Sequence, residues 1–534
     1  MHIEKIIVNN FKSLQHTEVN FNNNLNIIVG DNEAGKSTLL EAINLVLSGQ
    51  INGRNILYDV NPYLFNNHIT QKYFESLQSG TPQSPPSLLI EAYFGNDGSL
   101  AKLQGINNTL RENCPGLTLS IEFDDGFVDE YAEYIKNQDV KKTIPVEYYK
   151  VNWLSFAGNP ITTRSRPVNV TMIDTSLLRY NDQANKYISK IINDYLTAEQ
   201  RVNLSLSFRN MKELFGDQEN VKLINEKLQE MKGEVSDKEL SVSMDMSSRH
   251  TWQSSITAHL NDIPISFAGK GEQNSVKMKL AMEASDEAHV FLVEEPENHL
   301  SYSSMNKLIS KISQKGAGKQ IIIATHSSFV LNKLGIENVI LFNAENSMTM
   351  GDLSSGTVDY FKKLPGHDTL RLILSYKAIL VEGPSDELVI QRAFIDKYGV
   401  MPLEKGVDVI SVKSLAFKRF LEIGKLLNLN IRVVTDNDGD VQVKIKNKYE
   451  GYLDGEFENI KICYDEDQDF PTLEPQLLKA NSLALLNTIF GKDYANESDL
   501  LQYMESNKTN CALKIFNSHD NIEFPQYIED AIEE

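Results

Sequence analysis

Cysteine is scarce in this sequence: three residues (Cys114, Cys463 and Cys511), far apart, in 534. Neither a disulfide framework nor a zinc cluster can be built from them, so a reducing cytoplasm is the expected setting. Tryptophan is scarcer still, with two. No apolar run approaches the roughly 20 residues needed to cross a bilayer, and residues 1–30 carry neither a signal-peptide nor a transit-peptide pattern. No membrane association is expected. Low-complexity tracts and short-period repeats are missing too. So is an excess of positive charge: 52 Lys and Arg stand against 73 Asp and Glu, a net −21. That argues against a general nucleic-acid coating protein. It leaves room for an enzyme that meets DNA through a local basic groove, or through metal ions bridging its carboxylates to phosphate.

What is present begins with Gly30-Asp31-Asn32-Glu33-Ala34-Gly35-Lys36-Ser37, which fits G-x-x-x-x-G-K-[ST] at every fixed position. The apolar run Leu25–Val29 before it reads as a strand. Leu39, Leu40, Ile43, Val46 and Leu47 after it repeat at helical spacing until Gly49. In that setting backbone N–H groups close around nucleotide phosphates at the positive end of the new helix. Lys36 would reach the β- and γ-phosphates and Ser37 would hold Mg²⁺, with Asn32, Gly35 and Thr38 completing the nucleotide-binding loop. The length allows about two to four domains. Strands are expected over 2–9, 88–94 and 117–123, and an exposed loop at Thr81–Ser87, with Pro82, Pro85 and Pro86. Arg164 and Arg166 are candidates for a DNA groove, though two arginines on a loop are more often simply solvated.

From about Ser176 to Val235 helical patterns dominate. This stretch can pack on another copy or on its own chain. Three further pieces follow. Ser266-Phe267-Ala268-Gly269-Lys270-Gly271-Glu272-Gln273 is a small-residue turn opening an apolar helix. His289–Glu295 is an apolar strand ending in adjacent acids, whose side chains point in different directions. Glu294 is assigned to the metal and Glu295 to the attacking water. Gln320–Ser328 is a buried-type strand ending at His326, where a γ-phosphate sensor would stand. In order, these four pieces resemble the ATP-binding-cassette class of ATPases, closest to its SMC/RecF-like branch, including an opening strand followed by Asn10-Phe11-Lys12-Ser13. The resemblance implies that Ser266, Gly269 and Gly271 of one subunit complete the ATP site of another, hence a dimer. One departure is Glu294, where that class usually has Asp.

A new domain is expected to start at Lys377. The strand Ala378–Val381 ends in Glu382. Gly383-Pro384-Ser385 then turns, with Ser385 read as the N-cap of a helix opened by Asp386 and Glu387. The strand Ile431–Thr435 ends in Asp436-Asn437-Asp438-Gly439-Asp440. Two strand ends delivering carboxylates through α/β crossovers make an acidic pocket at one edge of a parallel sheet. Hard oxygen donors without His or Cys suit Mg²⁺ or Mn²⁺. An EF-hand reading fails, because loop position six is Val441 and position twelve is Asn447.

V-E-G-x-x-D with a later D-x-D resembles the Toprim domain of topoisomerases, primases and certain nucleases. A Toprim domain behind an ABC-type ATPase resembles the overcoming-lysogenization-defect (OLD) family of endonucleases. Further matches are Gly269-x-Gly271-x-Gln273, Glu295-Pro296-Glu297-x-His299-Leu300, Leu473-Glu474-Pro475 and Lys508-x-x-x-Ala512. The resemblance implies an α/β protein. Residues 1–175 and 241–355 would form the ATPase, 176–240 a dimerising helical insertion and 356–534 the Toprim domain. It further implies that Glu382, Asp386, Asp436, Asp438 and Glu474 hold two metals, and that Lys508 neutralises charge at the scissile phosphate. The function it implies is an ATP-regulated, metal-dependent DNA endonuclease used against phage or foreign DNA. Its partners would be DNA, a second copy, and a helicase or other defence protein encoded beside it. The alternative is a non-cutting repair or defence ATPase whose acidic domain binds metal or a partner. A topoisomerase would need a nucleophilic tyrosine, and no tyrosine here has a defensible setting.

Overall fold

A computed structural model describes residues 1–30, 34–51, 54–79, 81, 83–136, 143–174, 188, 191–192, 196–232, 238–246, 251–283, 288–298, 303, 307, 310, 318–342, 347–350, 353–363, 369–412, 417–453 and 457–533. The chain opens with strand β1 (Ile3–Phe11), and strand β2 (Leu25–Val29) leads through the glycine-rich loop into helix α1 (Lys36–Ser48). As expected, α1 ends where Gly49 adopts φ 65°, a left-handed conformation that glycine takes without steric cost. By proximity the chain divides into two compact units. The first comprises Met1–Gln15, Asn20–Leu25 and Ser37–Ala324; the second comprises His16–Val19, Asn26–Lys36 and Thr325–Glu534.

In the first unit, β1 pairs antiparallel with β3 (Leu88–Phe94), β3 with β4 (Cys114–Phe123), and β4 with β5 (Tyr149–Ser155). Trp153 of β5 is buried, and its indole N–H donates to the carbonyl oxygen of Val46 in α1 at 2.9 Å. A second group of strands is parallel: β6 (Val170–Asp174) pairs with a later strand, β7 (Val290–Glu294), which pairs with β8 (Gln320–Ala324). Every residue of β7 and β8 is buried. Unbroken apolar runs are what a parallel strand covered on both faces requires. Gln320 begins β8 with its side chain inside. Its Oε1 accepts from the Ile3 N–H at 2.8 Å, and its Nε2 donates to the carbonyls of Ile3 and Asn22 at 2.8 and 2.9 Å.

Between β6 and β7 lie α2 (Ala198–Gly216), α3 (Glu219–Glu230) and α4 (Lys270–Glu283). Thr197 and Gln200 cap α2 reciprocally, the capping-box arrangement. Leu204, Leu206, Met211, Leu214 and Phe215 of α2 and Leu223 and Ile224 of α3 are exposed. Most of residues 175–195, the opening of the stretch in which helical patterns are read, lies outside the described residues.

In the second unit β2 pairs in parallel with β9 (Val339–Phe342), and β9 pairs antiparallel with β10 (Ser347–Thr349). Helix α5 (Ser355–Lys363) follows. Next comes a four-stranded parallel sheet in the order β12 (Val407–Ser411), β11 (Lys377–Val381), β13 (Asn430–Val434), β14 (Ile460–Cys463). Helices α6 (Pro384–Tyr398), α7 (Phe417–Leu426), α8 (Leu473–Ala480), α9 (Lys508–Asn517) and α10 (Gln526–Ile532) accompany this sheet. Val389, Phe394, Leu477, Ile515 and Tyr527 belong to its main core. One expectation is corrected. The N-cap of α6 is Gly383, not Ser385, because Pro384 fits the first helical position, where its missing N–H costs nothing. Ser385 therefore lies within the helix.

Candidate functional site

Parallel strands deliver their C-terminal ends to one edge, and β11 and β13 are immediate neighbours, with Leu380 opposite Val433. The residues just past those ends therefore meet. Thr435 Oγ1 donates to Glu382 Oε1 at 2.7 Å, and the Asp436 N–H donates to the same oxygen at 3.2 Å. At the start of α6 the Gly383 N–H donates to Asp386 Oδ2 at 3.0 Å, fixing Asp386 beside Glu382. From α8, Glu474 is 4% exposed. Its Oε2 accepts from Thr472 Oγ1 at 3.1 Å and from Lys508 Nζ at 2.8 Å.

The placement of these groups has electrostatic consequences. Burial, then the charge of Glu382, pushes the Asp386 carboxyl up to about 7. Burial, then Asp386, Glu382 and Glu474, pushes Asp436 up to about 8, with Lys508 opposing. Burial works against the Lys508 ammonium, but Glu474, Asp436 and Asp386 outweigh it and hold it above its ordinary value. Carboxylates this close cannot all ionise without a compensating cation. Oxygen donors alone are the chemistry that suits Mg²⁺ or Mn²⁺, and Glu382, Asp386, Asp436 and Glu474 are the residues that would hold such an ion. Among the described residues no group of three or more His, Cys, Asp or Glu is placed to hold a metal ion as it stands.

Asp438 stands apart from this group. It is exposed, in a turn where Asp438 and Gly439 have φ 48° and 78°, and its carboxylate pairs with Lys444 at 3.0 Å. The turn is held by Asn437, whose Nδ2 donates to the carbonyls of Asp465 and Asp467 at 2.9 Å each. Asp465 Oδ1 accepts from the Asp467 N–H, and Asp467 pairs with Lys479 at 2.7 Å. The acids just upstream of Glu474 thus organise the neighbouring loop. Thr435, Thr472 and Asn437 were not singled out in the sequence. Their one signal is position, directly beside a strand end or a functional acid.

The glycine-rich loop is held in the second unit. Gly35 has φ 89°, and a Cβ on Gly30 would lie 2.1 Å from the Phe342 carbonyl oxygen. Only glycine fits there. Lys36 is buried, and its Nζ donates to the Gly30 carbonyl at 2.8 Å, so the ammonium is already bent back over the loop. Ser37 is exposed, Thr38 Oγ1 accepts from Ser13 Oγ at 3.1 Å, and Lys12 forms an ion pair with Glu41. Asn32 lies outside the described residues. The loop fits a nucleotide triphosphate by chemistry: backbone amides, one ammonium and a hydroxyl.

In the first unit Glu294 closes β7 opposite Ala324 and is 8% exposed. Glu295 has φ 42°, an unfavourable conformation for a non-glycine residue of the kind that clusters at functional sites. It is held by its N–H on the Ala324 carbonyl at 2.8 Å and by Asn298 Nδ2 on its Oε2 at 2.6 Å. Asn298 in turn accepts from Asn274 of α4 at 3.0 Å, tying the helix behind the small-residue turn to the acid. That turn is braced by Gln273, whose Nε2 donates to the carbonyls of Ser266 and Ala268 at 3.1 and 2.8 Å. Gly269 has open space around it, and Phe267 is 81% exposed. His326 follows β8 by two residues, in the second unit.

Residues 1–125 match the family described as AAA ATPase domain. Residues 373–438 match the family described as overcoming lysogenization defect protein-like, TOPRIM domain. The chain thus carries an AAA-type ATPase domain at its N-terminal side and an OLD-like Toprim domain behind it. That combination is the architecture of the OLD family. Among solved structures, an SMC head bound to the C-terminal winged-helix domain of ScpA aligns at 14% identity and a TM-score of 0.33. It covers 66% of this chain and 99% of that one. The SMC head domain from Thermotoga maritima aligns at 13% identity and a TM-score of 0.29, with the same coverage. No curated protein matches the sequence. Arg164 and Arg166 are exposed, and Arg166 Nε donates to Asn169 Oδ1 at 3.2 Å.

Proposed function

We propose that the chain is an ATP-binding and ATP-hydrolysing DNA endonuclease dependent on a divalent metal. The observation that carries this reading is the gathering of Glu382, Asp386, Asp436 and Glu474, with Lys508 beside them, at one edge of the parallel sheet. Divalent ions bound there would activate water and stabilise the leaving oxygen at a phosphodiester. Thr435 and the Asp436 N–H hold Glu382, the Gly383 N–H holds Asp386, and Lys508 carries the positive charge that a phosphate gaining negative charge requires. Asp438 takes the rim of the pocket.

In the ATPase, Lys36 with Asn32, Gly35 and Thr38 would bind the triphosphate. Ser37 and Glu294 would serve its Mg²⁺, Glu295 the attacking water and His326 the γ-phosphate. Ser266, Gly269 and Gly271 would serve the site of a second copy. A homodimer is supported by the exposed apolar positions of α2 and α3 and by the exposed Phe267 at the small-residue turn. The working domain limits are 1–175, 176–240, 241–355 and 356–534. The family resemblance supports a cytoplasmic role against phage or foreign DNA, with a helicase or similar partner. Among the described residues no helix is long and apolar enough to cross a membrane.

The test is cleavage of supercoiled plasmid in Mg²⁺ or Mn²⁺, with and without ATP, by the wild type, Asp436→Ala and Lys36→Ala proteins. Cutting abolished by Asp436→Ala places the activity in the Toprim domain. DNA left intact by the wild type under every condition removes the nuclease reading in favour of a non-cutting ATPase.

A further inference from the structure

A cavity of about 500 Å³ opens beside α7, lined by Phe417, Lys418, Arg419, Lys448 and Tyr452, with Glu422 and Glu450 also on its wall. Its volume lies within the roughly 300–1,000 Å³ of ligand sites. Its charges are unequally available. Glu422 accepts from the Ser354 N–H at 2.5 Å, from Ser354 Oγ at 2.9 Å and from Thr357 Oγ1, so its carboxylate is spent on the start of α5. Arg419 donates to Thr357 Oγ1 at 3.0 Å. Lys448 is half-buried, yet among the described residues it makes no ion pair. Its ammonium lies 5.4 and 5.1 Å from the ring centroids of Phe417 and Tyr449, contacts that hold a cation without neutralising it. Lys418 is exposed and, among the described residues, makes no ion pair.

Lys448 connects the cavity wall to the turn that carries Asp438. Lys448 lies in the field of Glu382 and Asp438, and Lys444, one helical turn earlier, is paired with Asp438 at 3.0 Å. Lys444, Lys446 and Lys448 thus form a local basic run in a chain of net charge −21. A polyanion lying across the carboxylates would have its next phosphates within reach of these ammonium groups. Tyr452, partly exposed at the cavity wall, offers a ring for a base.

We propose that this cavity seats the single-stranded flank of the DNA next to the scissile phosphate. Lys418 and Lys448 hold backbone phosphates and Tyr452 stacks on one base. The proposal rests on the nuclease reading above and adds the strand path to it. Phosphate contacts give salt-dependent affinity, and base–aromatic stacking gives affinity that depends little on salt.

The experiment uses the full chain in Ca²⁺ and a fluorescent thymidine oligonucleotide of about 20 residues, read by anisotropy across a salt series. The Lys418→Ala/Lys448→Ala protein is expected to bind about 10- to 100-fold more weakly. Its log-affinity against log-salt slope should be shallower by about 1.4, two single-strand phosphates' worth. Lys418→Arg/Lys448→Arg should retain the wild-type affinity. Tyr452→Ala should lose roughly 5- to 100-fold with its slope unchanged. The thermal shift produced by Mg²⁺ should persist in all three, which separates strand binding from damage to the fold. Wild-type affinity and slope in the double alanine protein would overturn the proposal. So would competition by a mononucleotide as effective as that by the oligonucleotide. If such a protein still cuts plasmid, the nuclease reading stands and this strand path alone fails. A wild type that neither binds nor cuts DNA overturns both.

Discussion

Without metal, the acidic cluster should make the protein less stable as pH rises, and removing one of its charges should stabilise it. Asp386 and Asp436 both have folded-state values, about 7 and about 8, above the ordinary 3.8. The folded protein therefore holds these protons more tightly than the unfolded chain. The stability this supplies is fully present below about pH 4 and is lost as pH rises through 7 and 8. A tenfold change in proton affinity is about 1.4 kcal/mol, so the two groups together bound the cost of ionising the set at pH 8.5 at roughly 10 kcal/mol, and at about 5 kcal/mol once their mutual repulsion is counted a single time. The repulsion is shared between carboxylates, so Asp436→Asn should recover about half of it, ~2–3 kcal/mol. At roughly 2–4 °C per kcal/mol for a domain of this size, Tm should rise by about 5–10 °C at pH 8.5 in EDTA. Near pH 4, where Asp436 is largely protonated in the folded and the unfolded chain alike, the two proteins should melt together. Adding Mg²⁺ at pH 8.5 should reverse the order, because the wild type gains a ligand set that the variant has broken. Differential scanning fluorimetry at the two pH values, with EDTA or Mg²⁺, makes the comparison. A variant no more stable than wild type at pH 8.5 in EDTA, or equally stabilised at both pH values, would refute the reasoning.

Lys36→Ala should lower ATP hydrolysis on the order of 10²- to 10³-fold while leaving the Mg²⁺ thermal shift at the Toprim site in place; phosphate release and melting curves measure the two. Lys508→Met removes the cation on Glu474 and makes the pocket more negative. Cutting should fall about 100-fold while the Mg²⁺ thermal shift is kept or enlarged, and a shift that vanishes would show Lys508 to be a structural brace. Leu206→Glu with Phe215→Glu places charge on the exposed apolar faces of α2 and its end. Light scattering should then show a monomer where the wild type is a dimer, with an unchanged melting transition.

The parts of the fold that are local in the chain were legible in its sequence. The strand–loop–helix around Lys36, the buried strands ending at Glu294 and Ala324, and the strand ends at Glu382 and Asp436 each carry their own apolar run and stop signal. What was not legible depends on where a turn points. The D-x-D spacing gives Asp436 and Asp438 equal standing, but positive φ at Asp438 and Gly439 turns the second acid to solvent and Lys444. The choice among the acids before Glu474 depended on Lys479 and Asn437 engaging the loop that carries them. Thr435 and Thr472 carry no pattern of their own, since a hydroxyl beside an acid is common and only folding shows it to be a donor. The Ser385 cap failed because Pro384 competes one position earlier for the same helix start.

The buried amide of Gln320 has a consequence for how the protein is made. It binds the backbone of Ile3 and Asn22, closing a loop of more than 300 residues between β1 and the start of β8. A ribosome must therefore have emitted about three-fifths of the chain before the N-terminal strand meets this partner. Until then β1 has only its antiparallel neighbours, and the phosphate loop hangs from a sheet still being synthesised. Pairings this distant in sequence form slowly. A fragment ending near residue 125, where the AAA ATPase match ends, would keep the phosphate-binding loop yet lack the strand that anchors its beginning.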